Sequence, residues 1–323
     1  MTHPLNIAVI GVGVMGLRML ERLQGHDRLR PCVAWDADPQ TLAHACTRFP
    51  SLRPARDLAS ALAASDLACA YIATPPDSHL AFADLAFDAG LAVLCEKPLS
   101  TDAPAARAAV RRVQDQNLRA AVNFPLATSP ALAALGEVCR DQRAQGLGEL
   151  RAVELELAFA AWPRPWQANA GAWLSEREQG GFTREVMSHF IFALHRLLGP
   201  AQVLQSQAEY PVDGRGAERR VVARLRLGAV DAVVEGAVTG SVADRNRLRL
   251  SGTDGDWELR DWSQLWRRVG GGEWTAVSTP PVADPYKEWV ALIEGRAHRL
   301  ATFAEAWAVQ ETIEALLAPV ATD

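Results

Sequence analysis

Residues 11–16, GVGVMG, have the type and spacing expected of a dinucleotide-binding turn. They stand between an apolar run of strand length and a helical stretch. In that position the first glycine permits a tight turn, the second lets backbone amides approach a pyrophosphate, and the third lets the helix pack on the strand. The helix N-terminus adds partial positive charge for the phosphates. We therefore predict cofactor contacts from Gly11, Gly13, Val14, Met15 and Gly16.

Asp36 extends this pattern, because a dinucleotide site usually has an acid about 20 residues further on, which binds the ribose hydroxyls. It follows the run CVAW and lies 20 positions after Gly16. Asp38 is close by and no arginine or lysine stands beside them, so a 2′-phosphate would be repelled. The pattern favours NAD(H) and leaves NADP(H) possible. Both acids could instead be turn residues before Pro39.

Two further strand-like runs end in segments that could face the same ligand. The run LACAYIA is followed by TPP at residues 74–76, and the run LAVLC is followed by EKP at residues 96–98. Ligands of a parallel sheet bind beyond the carboxyl ends of its strands, so both segments are expected beside the cofactor. A lone Lys-Pro at a strand end usually marks only the end of the strand. The sequence leaves open whether that peptide bond is cis or trans. The residues expected near the dinucleotide are Thr74, Pro75, Pro76, His79, Glu96 and Lys97.

Glu185 and His189 lie four residues apart on a helix predicted over residues 182–198, so they project from one face. The same helix has a broad apolar face for packing. A carboxylate beside an imidazole suits acid/base chemistry, whereas an isolated histidine on an apolar helix is more often structural. The spacing alone leaves both interpretations open.

Continuous apolar strands alternate with helices from residue 5 to about 123, which is typical of a parallel sheet covered on both faces. We predict an α/β protein in which residues 1–122 form a Rossmann domain with a doubly wound parallel sheet. After that, strands follow one another without intervening helices, which indicates a mostly antiparallel sheet. Residues 123–323 are predicted to form an α+β domain for substrate binding and oligomerisation, with a large open sheet. The C-terminal helix, predicted over 303–317, is expected to pack back on the first domain.

The composition narrows the possible functions. The chain has 323 residues, enough for two cores, and its net charge of −5 disfavours a nucleic-acid partner. Five scattered cysteines without a CxxC fit reduced thiols in a cytoplasmic protein. We find no signal peptide and no apolar run of membrane-spanning length, so no membrane partner is expected. The seven histidines show no metal-ligand spacing, and no metal site is predicted.

The stretch IATPPDSHLAFADLAFDAGLAVLCEKPLS, with the glycine turn upstream, resembles the glucose–fructose oxidoreductase/inositol dehydrogenase (Gfo/Idh/MocA) family of NAD(P)-dependent oxidoreductases. The later segment WLSEREQGGFTREVMSHFIFALHRLLGP is similar to that family's second half. The resemblance implies hydride transfer between nicotinamide and a carbinol or carbonyl carbon of a small polyol, sugar derivative or hydroxy/keto compound. It implies that Lys97, oriented by Glu96, stabilises the developing alkoxide or donates a proton. It also implies that His189 is the acid/base, with Glu185 where the family usually has aspartate.

Several residues depart from the family pattern. An arginine that is common near position 126 is absent, which leaves Asn123 as the polar residue there. Leu174 stands where many sugar-acting members have a basic residue. Arg184 is added and could meet a substrate carboxylate or form a salt bridge. The nearby tryptophans, which could stack on a sugar ring or anchor a lid or a subunit contact, are Trp162, Trp166 and Trp173.

These departures keep two alternatives open. One is an imine or keto-acid reductase of the same family, and the other is a catalytically inactive dinucleotide-binding sensor. The expected partners are a small-molecule substrate and a second copy of the chain. The resemblance implies a homodimer or homotetramer through the C-terminal sheet, whose uncovered face is expected to present the alternating apolar residues Val221, Ala223, Leu225 and Leu227.

Overall fold

Two β-sheets organise the chain, one parallel and one mostly antiparallel. The computed structural model describes residues 3–167, 171–240, 243–282 and 284–318. The strands are β1 (Leu5–Ile10), β2 (Leu29–Trp35), β3 (Arg53–Pro54), β4 (Leu67–Ile72), β5 (Ala92–Glu96), β6 (Ala120–Asn123), β7 (Leu150–Phe159), β8 (Ala201–Glu209), β9 (Arg220–Leu227), β10 (Val230–Val238), β11 (Arg245–Gly252), β12 (Gly255–Arg260), β13 (Gln264–Val269) and β14 (Thr275–Val277). The α-helices are α1 (Val14–Leu23), α2 (Pro39–Arg48), α3 (Leu58–Leu62), α4 (His79–Asp88), α5 (Ala103–Asp115), α6 (Pro130–Arg140), α7 (Ser188–Leu198), α8 (Lys287–Ile293) and α9 (Phe303–Leu317).

The chain divides into two compact units. The first comprises Met1–Phe124 and Asp284–Trp307, and the second comprises Pro125–Ala283 and Ala308–Asp323. In the part of the chain that the structure describes, no helix is long and apolar enough to cross a membrane.

The first unit contains a sheet of order β3-β2-β1-β4-β5-β6, and every adjacent pair is parallel. Its central strands are buried along nearly their whole length, because helices cover both faces. This confirms the doubly wound parallel sheet predicted from the unbroken apolar runs. The strand order reverses between β1 and β4, which is where such sheets bind their ligands.

The core of the first unit includes side chains from near the end of the chain. Helix α8 contributes Trp289 and Leu292 to the cluster formed by the β-strands, and both are nearly fully buried. The indole of Trp289 donates from Nε1 to Sγ of Cys69 at 3.3 Å and packs on the ring of Tyr71. Residues about 200 positions apart in the sequence therefore share one core.

Leu292→Ala is expected to lower the free energy of unfolding by about 2–5 kcal/mol, since it removes buried methyl groups and leaves a cavity. Leu85→Ala is the matched control, because Leu85 lies on a helix of the same unit but is 48% exposed. Its effect should stay below about 1 kcal/mol. Denaturant unfolding measures both, and equal losses would show that α8 is not part of this core.

The second unit contains a sheet of order β14-β13-β12-β11-β7-β10-β9-β8. Within the described residues its adjacent strands are antiparallel except for β7 and β10, which run parallel. The predicted mostly antiparallel sheet is therefore confirmed.

The predicted apolar outer face of this sheet is wrong. The four residues expected there are at most 2% exposed, because they face the interior of the unit, where α7 packs against β9. The alternate positions of β9 face the other way, and three of the four are arginines. Of these, Arg220 pairs with Glu235 at 2.8 Å and Arg226 pairs with Asp231. The two-residue period of the apolar positions in β9 was predicted correctly, but these positions were assigned to the wrong face of the sheet. The buried residues are Val221, Ala223, Leu225 and Leu227.

Candidate active site

The glycine turn after β1 has the geometry that a bound diphosphate requires. Gly11 has φ +89°, and a Cβ on it would lie 2.7 Å from the carbonyl carbon of Ala73. A Cβ on Gly16 would lie 2.1 Å from the carbonyl oxygen of Gly11, so only glycine lets α1 start this close to the turn. A Cβ on Gly13 would meet nothing within 4 Å, which leaves space beside its backbone. The first and third glycines therefore serve the fold, and the second faces open space.

Asp36 and Asp38 differ in what their carboxylates do. Asp36 directly follows β2, and its Oδ2 accepts from the amide of Val12 in the glycine turn at 2.8 Å. Asp38 is the N-cap of α2, where it accepts from the Thr41 hydroxyl and from backbone amides of Gln40 and Thr41. These bonds, led by that of the hydroxyl, lower the pKa of Asp38. Oδ1 of Asp36 also accepts from the amide of Asp38, at 2.9 Å. The turn-residue alternative thus applies to both acids, and Asp36 is in addition fixed beside the glycine turn.

The end of β5 is held by a buried hydrogen-bond cluster. Glu96 is 6% exposed, and its Oε1 accepts from the phenol of Tyr71 at 2.5 Å and from Nδ2 of Asn123 at 2.7 Å. Burial, and then the charge of Glu96, raise the pKa of Tyr71, so the phenol stays protonated and donates. Asn123, expected among substrate-binding residues, thus uses its amide to hold Glu96. Sequence reading missed Tyr71, although its place in the apolar strand β4 was a weak signal.

His79 joins the two strand-end segments predicted beside the cofactor. Its Nδ1 lies 2.8 Å from the carbonyl oxygen of Pro98, and its Nε2 lies 2.8 Å from that of Thr74. The ring is 1% exposed, and burial lowers the pKa of His79. The Lys97-Pro98 peptide bond that this histidine contacts is cis. His79 therefore braces residues 74 and 98 instead of presenting its ring to a ligand.

The remaining residues predicted at the cofactor lie at the surface of the first unit. Val14 and Met15 are each 37% exposed at the start of α1. The segment 74–76 leads into a short 3-10 turn, in which the hydroxyls of Thr74 and Ser78 lie 2.7 Å apart. Apolar and hydroxyl groups are therefore available along the carboxyl ends of β1 and β4.

In the second unit, Glu185 and His189 lie on two kinds of helix. Thr183–Met187 form a π-helical turn that continues directly into α7, so the predicted helix is correct in extent but not in its first turn. Turns of this kind occur frequently at functional sites. The imidazole of His189 is 7% exposed and packs in a T-shaped arrangement against Trp262, with ring centroids 5.1 Å apart.

A buried carboxylate that the sequence reading missed anchors the start of this helical segment. Oε1 of Glu218 accepts from the amide of Thr183 at 2.7 Å, and the residue is 1% exposed. Gly181 has φ +98°, and a Cβ there would lie 2.0 Å from Oε2 of Glu218. Burial raises the pKa of Glu218. Gly181 thus makes room for this carboxyl group.

Arg184 has its side chain engaged by its own unit. It forms a bidentate pair with Glu314, at 2.9 and 2.8 Å, and also donates to the carbonyl oxygens of Arg177 and Gly180. It lines a cavity of about 630 Å³ whose lining includes neither Glu185 nor His189. The arrangement corresponds to the salt-bridge alternative.

The tryptophans of the preceding loop have different environments. Nε1 of Trp162 donates to the carbonyl oxygen of Leu174 at 2.9 Å, and its ring packs against Phe159, so Trp162 anchors the loop. Trp166 is 56% exposed, with the guanidinium of Arg164 4.7 Å from its ring centre. Trp173 is half-buried. Of the three, Trp166 is the most exposed.

A parallel sheet of this strand order, with a glycine turn after β1 and an acid after β2, defines a dinucleotide-binding Rossmann domain. Residues 5–124 match the Gfo/Idh/MocA model, described as an oxidoreductase family with an NAD-binding Rossmann fold. The match lies in the first unit and confirms, for residues 5–124, the resemblance found in the sequence.

Known proteins resemble the chain to different extents. D-apiose dehydrogenase of Paraburkholderia graminis is 32% identical over 134 residues, 42% of this chain and 36% of its own length. Inositol 2-dehydrogenase of Rhodococcus erythropolis is 35% identical over 108 residues, 33% of this chain and 31% of its own. The chain thus spans about a third of the length of these relatives. A solved oxidoreductase of Agrobacterium radiobacter, in complex with NAD+, L-tartaric acid and magnesium, matches 96% of this chain and 94% of its own at 17% identity, with a TM-score of 0.81.

Proposed function

We propose that the protein is an NAD(P)-dependent dehydrogenase or reductase acting on a carbinol or carbonyl carbon of a small polyol or sugar derivative. The observation that carries the proposal is the set of groups at the carboxyl ends of β1, β2 and β5. These are an open glycine turn, the fixed Asp36, and Lys97 directly after the immobilised Glu96. The names of the relatives, which act on D-apiose and inositol, support the same substrate class.

The residues of the first unit fit a nicotinamide dinucleotide. The open backbone at Gly13 and the start of α1 would hold the diphosphate, and Asp36 retains acceptor capacity for ribose hydroxyls. Val14 and Met15, together with residues 74–76, supply the exposed surface against which the cofactor would lie. When bound, the nicotinamide supplies or accepts the hydride.

Lys97 contributes positive charge where a substrate oxygen becomes negative. An ammonium beside a developing alkoxide stabilises it and can pass it a proton. The preceding Glu96 cannot swing freely, because two hydrogen bonds hold one of its oxygens. The chain has 31 arginines and only two lysines, so a lysine at this position is a marked exception. An ammonium exchanges its proton far more readily than a guanidinium does, which suits an acid/base role.

His189 is assigned the transfer of the hydroxyl proton, and Glu185 is assigned to orient the substrate or the imidazole. A histidine changes its charge near neutral pH and can therefore act as a base in one direction and an acid in the other. Glu185 lies in the π-helical turn that directly precedes α7, so it belongs to the same helical segment as His189.

The imine or keto-acid alternative has less support than the polyol. It was motivated by Arg184, whose guanidinium is bound to Glu314 and two carbonyl oxygens. The inactive-sensor alternative requires loss of a catalytic group, yet Glu96, Lys97 and His189 are all present.

The direct test incubates the purified protein with NAD+ or NADP+ and a panel of polyols and sugars, and with the reduced cofactors and a panel of keto acids and cyclic imines. Nicotinamide absorbance should change with a polyol or sugar and not with the imines. Turnover of a keto acid or imine alone would move the assignment to the alternative. Cofactor binding without turnover of any compound would favour the sensor.

Asp36 is expected to determine the preference for NAD(H) over NADP(H). Asp36→Asn should reduce kcat/KM for NAD+ by roughly 10- to 100-fold, because a charged hydrogen bond to the ribose is lost. The ratio of kcat/KM with NAD+ to kcat/KM with NADP+ should therefore fall. Asp38→Asn is the control, since that carboxylate caps α2. Kinetics with both cofactors would contradict the assignment if the two variants changed the ratio equally.

We also propose a homodimer or homotetramer in the cytoplasm. The outward face of the second sheet carries rows of opposite charge, such as Arg220 with Glu235, that a second copy of the face could match. The free cysteines suit a reducing compartment. Light scattering that gives a monomer at micromolar concentration would overturn the assembly.

A further inference from the structure

The turn between β12 and β13 holds a tryptophan in a backbone conformation that bulky residues do not favour. Asp261 has φ +45° and Trp262 has φ +71°, so two consecutive non-glycine residues lie in the left-handed region. Asparagine, aspartate and glycine are the usual residues of such hairpin turns, so Asp261 is ordinary there, whereas the bulky Trp262 is an outlier. Strained backbone of this kind clusters at functional sites, where the surrounding structure enforces it.

Hydrogen bonds to a neighbouring strand hold the turn in place. The amide of Asp261 donates to the carbonyl oxygen of Asn246 at 3.0 Å, and the amide of Asn246 donates back to Oδ1 of Asp261 at 3.4 Å. The amide of Ser263 closes the turn on the carbonyl oxygen of Arg260 at 3.2 Å. The turn is therefore attached to β11 as well as to its own hairpin.

This arrangement brings the indole of Trp262 against the first turn of α7. Its ring centre lies 5.1 Å from that of His189, with the planes at 69°, and 5.1 Å from that of Phe190, at 50°. Edge-to-face contacts at such distances are favourable and orient both rings. Glycine at position 262 would relieve the backbone but remove this contact. The side chain thus explains why an unfavourable conformation is kept.

We infer that Trp262 is a positioning residue that fixes the imidazole of His189. The inference rests on the proposed acid/base role of His189. A buried imidazole can transfer a proton efficiently only if its orientation is maintained, and small misplacements of a catalytic group cost large factors in rate. The contact with Trp262 supplies that orientation from a strand hairpin that lies more than 70 residues further along the chain.

The test compares Trp262→Leu, which removes the aromatic ring, with Trp262→Phe, which keeps one. Trp266→Leu is the matched control, because Trp266 lies on the same hairpin but stacks under Arg260, 4.5 Å from its ring centre. Carbon-13 labelling of the seven histidine rings gives NMR signals, and His189→Gln assigns the signal of His189. Relaxation of the ring-carbon signal reports how far the imidazole moves, whereas its chemical shift also changes with the ring current of the removed indole. We expect greater mobility of the His189 ring in Trp262→Leu and nearly unchanged mobility in Trp262→Phe and Trp266→Leu.

Kinetics with the substrate found by the panel give the second readout. Trp262→Leu should lower kcat by roughly 100-fold with little change in KM, and Trp262→Phe should restore most of it. Unchanged mobility of the His189 ring in Trp262→Leu would overturn the inference, as would an unchanged kcat with increased ring mobility. If His189→Gln itself kept full kcat, the proposed acid/base role of His189 would fail, whereas the NMR comparison would still decide whether Trp262 orients the ring. Circular dichroism verifies that each variant is folded. If Trp262→Leu is not folded, Trp262→Met, which also lacks a ring but keeps more of the side-chain length, takes its place.

Discussion

Replacing Lys97 with methionine is expected to lower kcat by roughly 10²- to 10⁴-fold while the fold persists. Methionine keeps much of the side-chain volume but removes the charge that stabilises the developing alkoxide. Lys97→Arg should also be impaired, because guanidinium keeps the charge but does not exchange a proton near neutral pH. Stopped-flow or steady-state absorbance of the nicotinamide measures both variants. Wild-type kcat in Lys97→Met would contradict the assignment.

The composition of the chain provides a sharp control for this experiment. Lys287 is the other lysine and lies exposed at the start of α8, so Lys287→Met should leave kcat unchanged.

Because the chain has only two lysines, the position of Lys97 can also be tested chemically without a substrate. Acylation by an amine-directed reagent, followed by mass spectrometry, should modify both lysines in the protein alone, and NAD+ should protect Lys97 but not Lys287. Equal modification with and without NAD+ would place Lys97 away from the cofactor.

Replacing His189 with glutamine is expected to lower kcat by roughly 10²- to 10⁴-fold, since it removes the acid/base group but keeps a planar polar side chain. The pH profile of kcat/KM should also lose the limb that depends on the imidazole. A variant that keeps both the rate and the limb would show that the histidine is structural.

His195 is the matched control on the same helix. Its Nε2 accepts from the amide of Ala201 at 3.2 Å, and burial lowers the pKa of His195 to about 4. It is therefore neutral near pH 7 and already occupied by the backbone, so His195→Gln should leave kcat nearly unchanged.

A double variant of Lys97 and His189 separates the two roles further. Rate losses smaller than the product of the single losses would indicate that both groups serve one step.

Local patterns in the sequence were sufficient for the architecture. Unbroken apolar runs separated by helices predicted the parallel sheet, because strands buried on both faces need apolar residues at every position. The glycine turn was recognisable because three glycines at fixed spacing meet three separate local requirements, and two of these are visible as close approaches at Gly11 and Gly16. The ribose-binding role of Asp36 was predicted from its place 20 positions after Gly16.

Side-chain partners from distant segments were not predictable. The two-residue period of β9 was plain in the sequence, but which set faces inward depends on where α7 packs, and the apolar residues were assigned to the wrong face. Arg184 and Glu314 are 130 residues apart, and nothing local indicates that they form a bidentate pair. The same holds for the packing of Trp262 on His189.

The sequence by itself determined the order of strands and helices, the dinucleotide turn, and the residue types at the ends of β4 and β5. Only the tertiary structure decided that Tyr71 and Asn123 hold Glu96, that His79 braces two loops, and that Asp38 caps a helix. The reason is physical. Turn geometry and hydrophobic period depend on residues a few positions apart, whereas a hydrogen-bond partner or a packed ring is supplied by whichever distant segment the folded chain brings within a few ångströms.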